Sequence, residues 1–389
     1  MRIALNENFK MLEPNYLFSD IARKVEEYSN DNPSKHIISL GIGDVSLPLA
    51  PSVAEEMSRA ASEMSTKRGF VGYGDTLGLK ELRVSISNRY KKRNVAIEPY
   101  EIFISDGAKS DLGNLCDILG DNEVLICDPV YPVYFDSSII SGRKVSLINA
   151  TPENNFLPSP ANLPNRPFVI YLCSPNNPTG AVFSKKKLEE WVDFANFSGS
   201  LIIFDAAYES YIRSPSLPRS ILEIEGARKC AIEVCSFSKF AGFTGIRCGW
   251  TAVPCELELH SLWKRRQNTK FNGASYISQR GALASLSQKG LEENAKNIEY
   301  YMSNAQKIAS FFRKKGIFFV GGENAPYLWF KIPKKISSRE FFDHLLHRAG
   351  VVGTPGIGFG KNGEGYFRFS SFASSENTDE ALLRLDNFC

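Results

Sequence analysis

The sequence has no CxxC pair, and its eight cysteines are scattered through apolar segments such as LICDP and IEVCSF. That scatter argues against a disulfide framework and predicts reduced, mostly buried thiols of a cytoplasmic protein. A metal cluster is missing as well: His344 and His347 stand three apart on one predicted helical face, but no carboxylate cluster completes a site, so no metal is expected. Neither charge sign is in large excess, with 46 lysines and arginines against 43 acids and a formal net charge of +3. The basic runs at 91–93, 185–187 and 264–266 therefore read as solvated helix ends and loops, and no nucleic-acid partner is expected. No stretch approaches the roughly 20 apolar residues that cross a bilayer. The opening MRIALNENFKM carries early charge without a long apolar run, so neither membrane insertion nor a secretory leader is expected. GxxxxGK[ST] is absent and no GxGxxG marks a dinucleotide fold, which removes the P-loop and dinucleotide-binding readings.

What is present is a repeated unit. From about residue 100, short β-rich runs (EIFIS, EVLIC, FVIYLC, LIIF and CAIEVC) each lead into a polar or glycine-containing turn, with helical periodicity between several of them. The pattern predicts an α/β domain with a largely parallel sheet. The sequels DGAK, DPVYPVY, SPNNPTG, DAAY and SFSK then fall at the carboxyl ends of the strands, where open α/β sheets bind ligands. After Trp250 the character changes: long helical patterns near 276–315 precede the strand candidates GIFFVGG, APYLWFKI and GYFRFSSF. Pro51 reads as a helix start. The expected organisation is an N-terminal segment, 1–44, serving a small domain and the active site. A large cofactor-binding domain follows over 45–270, then a linking helix and small C-terminal domain over 271–389.

Within SFSKFAGFTGIRCGW, residues 236–250, Lys239 is the candidate nucleophile. Only an unprotonated amine attacks a carbonyl to form a Schiff base, so it needs cationic neighbours or partial desolvation, and Arg247 supplies positive charge. Ser236 and Ser238 offer hydroxyls, and Gly242 and Gly245 permit close turns; with Arg247 they make an oxyanion cradle. A phosphate-bearing aldehyde cofactor accounts for amine and anion site together. SDGAKS, where a strand opens into a helix, aims the backbone N–H groups near Ala108 and Lys109 at an anion. Asp205, closing LIIF, pairs with a protonated ring nitrogen. Tyr208 and Asn177 reach the ring oxygen, and Tyr131 stacks on the ring face. Arg368, in YFRFSS, fits a bidentate clamp for a substrate carboxylate. Each has an ordinary alternative: surface lysine, helix cap, turn former, core ring, rim salt bridge. Jointly they are what pyridoxal-phosphate amino-acid chemistry requires.

SPNNPTG and SFSK, with ISLGIGD, SDGAK, SFSKFAGFTGIR, FNGAS and TPGIGFG, carry a resemblance. The chain resembles the fold-type I pyridoxal-phosphate aminotransferases, and within them the LL-diaminopimelate aminotransferases, from residue 15 to residue 371. The resemblance implies a large mostly parallel-sheet domain and a smaller α/β domain. It makes Lys239 the cofactor-linked base that shuttles a proton, and Asp205 the partner of the pyridinium nitrogen. Asn177 and Tyr208 serve the phenolic oxygen and Tyr131 the ring face, while Ser236, Arg247 and the backbone near Ala108 and Lys109 hold the phosphate. Arg368 binds the α-carboxylate, and Tyr16, Gly43, Lys109 and Asn272 line the substrate pocket. It further implies a homodimer with shared active sites, acting on small amino and oxo acids, with LL-2,6-diaminopimelate and 2-oxoglutarate giving tetrahydrodipicolinate and glutamate. One position departs. Plant-like members have a glutamate just before GYxGYG, whereas KRGFVGYG puts Arg68 there, and a cation at that place repels a substrate's distal ammonium. A related aminotransferase using lysine, aromatic or neutral donors, and a degenerate binding protein on the same scaffold, are the competing readings.

Overall fold

A computed structural model describes residues 3–12, 17–41 and 43–386 of the chain. Its strands, in chain order, are β1 (Ile38–Ser39), β2 (Ile102–Ser105), β3 (Val124–Asp128), β4 (Val145–Asn149), β5 (Val169–Cys173), β6 (Leu201–Asp205) and β7 (Ala231–Ser236). They continue with β8 (Gly249–Ala252), β9 (Phe319–Gly321), β10 (Tyr327–Lys331), β11 (Val351–Val352), β12 (Thr354–Pro355) and β13 (Tyr366–Ser370). Seven of them form one sheet in the order β2-β8-β7-β6-β5-β3-β4. The register is parallel throughout except where β8 inserts antiparallel between β2 and β7.

The five β-rich runs read from the sequence are strands β2, β3, β5, β6 and β7, and four of these are buried along their whole length. Near-continuous apolar runs are what a parallel sheet covered on both faces demands. Two strands carried no such signal. GWTA in β8 is only four residues long, and VSLIN in β4 is an edge strand with exposed positions. One face of the sheet packs on Trp191, Phe204, Phe237 and Trp250, the other on Phe103, Tyr134, Tyr171 and Trp263.

The helices show their signals locally. Pro51 opens the helix Pro51–Met64 at its first turn, where a missing N–H costs nothing. The helix Lys185–Ser198 starts on the Ser184 side chain, which accepts from the Lys187 N–H, and ends on Gly199 at φ +68°.

A second core lies around the four-stranded sheet β12-β13-β10-β9, where Phe312, Phe330, Phe341, Phe367 and Phe369 pack against one another. The 27-residue helix Gln288–Lys314 supplies Phe312. Chain from near the N-terminus joins this core: β1 pairs in parallel with β11, and Tyr28, Ile38 and Leu40 are buried in it. Of the cysteines among the described residues, six are buried, Cys255 is exposed, and all are free thiols, as expected. No helix among the described residues is long and apolar enough to cross a membrane.

Candidate active site

The carboxyl end of β7 delivers the amine. Ser236 caps the single turn Phe237–Phe240 by accepting from the Ser238 N–H at 3.0 Å, which sets Lys239 in the third position of that turn. Its ammonium Nζ donates to the carbonyl of Gly43 and lies 5.6 Å from the Phe372 ring centroid. Tyr211 donates to the Lys239 carbonyl at 3.0 Å and pins the turn from behind. Loss of hydration lowers the amine from its ordinary 10.5 to about 8; Arg368 and Arg247 push the same way and Asp44 opposes them. In cofactor-free protein, acetic anhydride labelling of Lys239, followed by mass spectrometry across pH, is therefore expected to reach half its maximal rate near pH 8. Asp44→Asn removes the one opposing anion and moves that midpoint lower; an unmoved midpoint would remove Asp44 from the account.

Beside the amine, Asp205 ends β6 and is buried. Tyr134 donates to its Oδ2 at 2.6 Å and the Ala207 N–H to Oδ1 at 2.9 Å. Burial raises its pKa, while these two donors pull the other way. Tyr134 is itself stacked on Tyr171, at 5.0 Å between centroids, and Tyr131 meets Tyr134 edge-on at 6.0 Å. Tyr208 follows Asp205 by three residues, and its hydroxyl shares a 2.5 Å hydrogen bond with that of Tyr327.

Arg368 is fully buried on β13. Nη1 donates to Asn177 Oδ1 at 2.6 Å, and Nη2 donates to the Gly41 carbonyl at 2.6 Å and to Thr354 Oγ1 at 3.2 Å. Its guanidinium lies 4.3 Å from the Tyr327 ring centroid. Because Asn177 Oδ1 accepts from Arg368, only the amide nitrogen of Asn177 can serve a ring oxygen. Gly43 stands where a Cβ would come within 2.6 Å of the Tyr327 hydroxyl, so this carbonyl can approach Lys239 only from a residue without a side chain.

The anion cradle joins two turns. Gly107, at φ +132°, opens the helix Ala108–Asn114, and a Cβ there would lie 2.3 Å from Arg247 Nη2. The guanidinium thus rests directly on the SDGAK turn. Its Nη1 reaches Ser238 Oγ at 3.4 Å and the Thr244 carbonyl at 3.2 Å. Ala108, Ser236 and Ser238 are buried around it, whereas Lys109 is exposed. Only one of the two glycines expected to make close turns does so: Gly242 has φ +78°, while Gly245 stands in open space.

Lys239, Asp205, Tyr208, Tyr131, Asn177, Ser236, Arg247, Ala108, Gly43 and Arg368 thus sit on the elements that meet at the carboxyl edge of the large sheet. Arg68 and Asn272 do not join them within one chain. Both are exposed, on neighbouring surface segments tied by the Thr76–Asn268 hydrogen bond and by Gln279, which accepts from the Leu79 N–H and donates to the Ala274 carbonyl. The same surface exposes Phe70 and Tyr73, at 68% and 90%. Tyr16 lies outside the described residues.

Several contributors were not read from the sequence. Tyr134 had a signal, as the second tyrosine of VYPVY; Tyr327 and Thr354 had none beyond lying in an apolar strand and a glycine-rich turn. The largest omission is Glu209. Buried directly after Tyr208, it accepts from Arg89 and, at 2.7 Å, from Arg93, both on or next to the helix Lys80–Lys91. Burial alone would raise this carboxyl, but the arginines outweigh it and hold it at about 2. Arg89 also lies over the Phe240 ring at 5.0 Å, so one guanidinium braces the turn of Tyr208 and the turn of Lys239 together.

Comparison with known proteins bears on this geometry. The family profile described as aminotransferase class I and II matches residues 35–385. An LL-diaminopimelate aminotransferase of Lachnospira eligens is 50% identical over 98% of this chain and 98% of its own length. One of Prochlorococcus marinus MIT 9515 is 47% identical over 99% of this chain and all of its own length. The solved structure of L,L-diaminopimelate aminotransferase from Chlamydomonas reinhardtii superposes with a TM-score of 0.95 at 40% identity, covering 100% of this chain and 99% of that one. An aromatic aminotransferase from Pyrococcus horikoshii superposes with a TM-score of 0.82 at 28% identity, covering 94% and 98%.

Proposed function

The chain belongs to the class I and II aminotransferase family, and from that premise we propose that it exchanges an amino group between LL-2,6-diaminopimelate and 2-oxoglutarate. The products are tetrahydrodipicolinate and glutamate, and the cofactor is pyridoxal 5′-phosphate. The observation that carries the reading is Lys239: a desolvated amine brought to about 8, held on the Gly43 carbonyl, with the guanidiniums of Arg368 and Arg247 acting on it and an anion cradle on its own turn.

The residues present fit that cofactor. Gly107 lacks the side chain that would collide with Arg247, so the guanidinium rests on the SDGAK turn and donates to Ser238 Oγ, and Ser236 and the Ala108 N–H would complete the contacts to a phosphate there. Asp205 is a buried anion for a ring nitrogen, Asn177 and Tyr208 serve the ring oxygen, and Tyr131 covers the ring face. When bound, pyridoxal phosphate supplies an electron sink for the α-carbon of an amino acid. Arg368 holds the α-carboxylate, positioned by Thr354 and the Gly41 carbonyl, and Phe359 and Tyr327 cover the guanidinium and exclude water. Lys239 Nζ, as a free base, would carry the α-proton between substrate and cofactor within each half-reaction, the second running the transfer backward, and it has Gly43 O as its resting acceptor. Lys109 and Gly43 line the substrate side.

The same reading divides the chain at about 45 and 270, which the separate aromatic core around residues 301–385 supports. It also assigns Arg68, Asn272 and Tyr16 to a site shared across a homodimer. Their support is the exposed Phe70 and Tyr73 beside Arg68, apolar surface that a second subunit would cover. Arg68 then meets the partner's substrate, and a compensating carboxylate has to pair with it.

The deciding experiment follows the absorbance of cofactor-loaded protein during addition of LL-diaminopimelate, with L-lysine in a parallel sample. Conversion by LL-diaminopimelate alone is expected. Equal conversion by L-lysine would overturn the assigned donor, and a spectrum unchanged by both would overturn the reaction.

A further inference from the structure

A concavity of about 430 Å³ lies away from the catalytic elements, on the outside of the second core. Three distant pieces of chain build it: the end of the helix Leu17–Asp31 and the turn after it, the end of the helical segment 338–349, and the helix Ser375–Asp386. Their side chains there are Tyr28, Lys35, His36, His347, Arg348 and Arg384, so three permanent cations and two imidazoles face one space and no carboxylate lines it. In a chain with 43 acids against 46 bases, that is a strong local imbalance.

Cations beside a helix C-terminus are ordinary, because its carbonyls attract them. Arg384 answers that demand: Nη1 donates to the carbonyls of His36 at 2.8 Å and Ala349 at 3.3 Å, and Nε donates to Glu380 at 2.8 Å. Lys35 and Arg348 are surplus to it. Lys35 Nζ is held by the Tyr28 hydroxyl at 2.9 Å, 5.4 Å from that ring's centroid, and Arg348 has no ion pair among the described residues. His347 Nδ1 donates to the Asp343 carbonyl at 2.7 Å and its ring packs edge-on against Tyr28 at 4.9 Å. The Asp343 carboxylate is engaged with Lys24 at 2.8 Å. Lys35 and Arg384 are thus held in place before any ligand arrives, which lowers the cost of binding one.

We propose that this cavity is a regulatory site for a small polyanion, a phosphate or a di- or tricarboxylate. Its connection to the chemistry is short. Two residues beyond His36 the chain enters β1, and directly after Gly350 it enters β11; the two strands are joined by the Ile38 N–H to Gly350 at 2.8 Å and the Leu40 N–H to Val352 at 2.7 Å. β1 runs on to the Gly41 carbonyl held by Arg368 and the Gly43 carbonyl held by Lys239, and β11 runs on to Thr354, also on Arg368. An anion drawing Lys35, His36 and Arg348 together acts on both strands of this ribbon, and so on the carboxylate clamp and the amine.

The test uses full-length cofactor-loaded enzyme, calorimetric titration with pyrophosphate and separately with citrate, and the double variant K35Q/R348Q. Neither substituted residue touches the active site, so activity without anion should equal that of the wild type. Wild-type binding of at least one probe, weakened about tenfold or more in the variant, is expected for the loss of charge-assisted hydrogen bonds. Binding of pyrophosphate alone assigns the site to phosphates, and of citrate alone to carboxylates. No binding of either at millimolar concentration, or equal binding by both proteins, would overturn the site. A bound anion should also change KM for the amino donor in the wild type and not in the variant; binding with KM unchanged would overturn the ribbon coupling while leaving the site.

Discussion

Lys239→Ala should lower kcat by about 10⁴-fold or more, because the change removes both the cofactor-linking nucleophile and the base that moves the α-proton. Substrate binding through Arg368 does not depend on that amine, so the loss should fall on kcat rather than on KM. Borohydride treatment of the loaded wild type should leave a pyridoxyl mass on the peptide containing Lys239, and the variant should carry none. Turnover within tenfold of the wild type would reject the assignment. The same substitution makes a stability prediction that needs no cofactor. The folded-state pKa of Lys239 is lowered from 10.5 to about 8, so between those values the unfolded chain binds more protons and wild-type stability rises with pH. Below about pH 8 the lysine is charged in both states and its burial penalty is present in full. Any gain in Tm of the cofactor-free variant should therefore be greatest below pH 8 and shrink as the pH approaches 10.5, which a thermal-melt series would read directly.

Asp205→Asn should cost about 10³-fold in kcat, the scale of removing a preorganised charge from a water-excluded site. Asparagine keeps the shape, and its amide oxygen still accepts from Tyr134 while its amide nitrogen gives up the bond from the Ala207 N–H, so the fold should persist with one of the two hydrogen bonds kept. What disappears is the negative charge that keeps a ring nitrogen protonated. The stability change should run the opposite way. Burial raises the Asp205 pKa, so in the cofactor-free protein the folded state holds its proton to higher pH than the unfolded chain, and wild-type stability is lost as pH rises through that window. At neutral pH the cofactor-free Asn variant should melt at or above the wild type, and after loading with cofactor the order should reverse. A variant with full activity, or with the same order of melting in both forms, would remove Asp205 from the ring nitrogen.

The contrast between these residues and Glu209 marks how far sequence reasoning reached. Lys239, Asp205, Asn177 and Arg247 stand in short local patterns, each just beyond an apolar run, and a parallel sheet must bring such sequels to one edge. Glu209 stands in an equally local pattern, DAAYES, but its partners Arg89 and Arg93 are more than a hundred residues earlier, at and just beyond the end of the helix Lys80–Lys91, and nothing in the spacing relates them. Tyr327 and Thr354 were illegible for the same reason: their roles are contacts, to Tyr208 across the junction of two sheets and to Arg368 on the neighbouring strand, that no local spacing shows. Strand β8 was missed because four residues inserted antiparallel in a parallel sheet leave no period to read.

By itself, then, the sequence determined the α/β class, the parallel strands, the free thiols and the set of chemical groups, because apolar periodicity and turn residues act over a few positions. Tertiary structure alone decided that Gly43 and Gly41 present carbonyls to Lys239 and Arg368, that Glu209 and Arg89 brace two catalytic turns, and that Arg68 and Asn272 face outward from one chain. Those arrangements depend on burial and on contacts between segments far apart in the chain, and the energy of a charge or a hydrogen bond is set by the surroundings that only folding supplies.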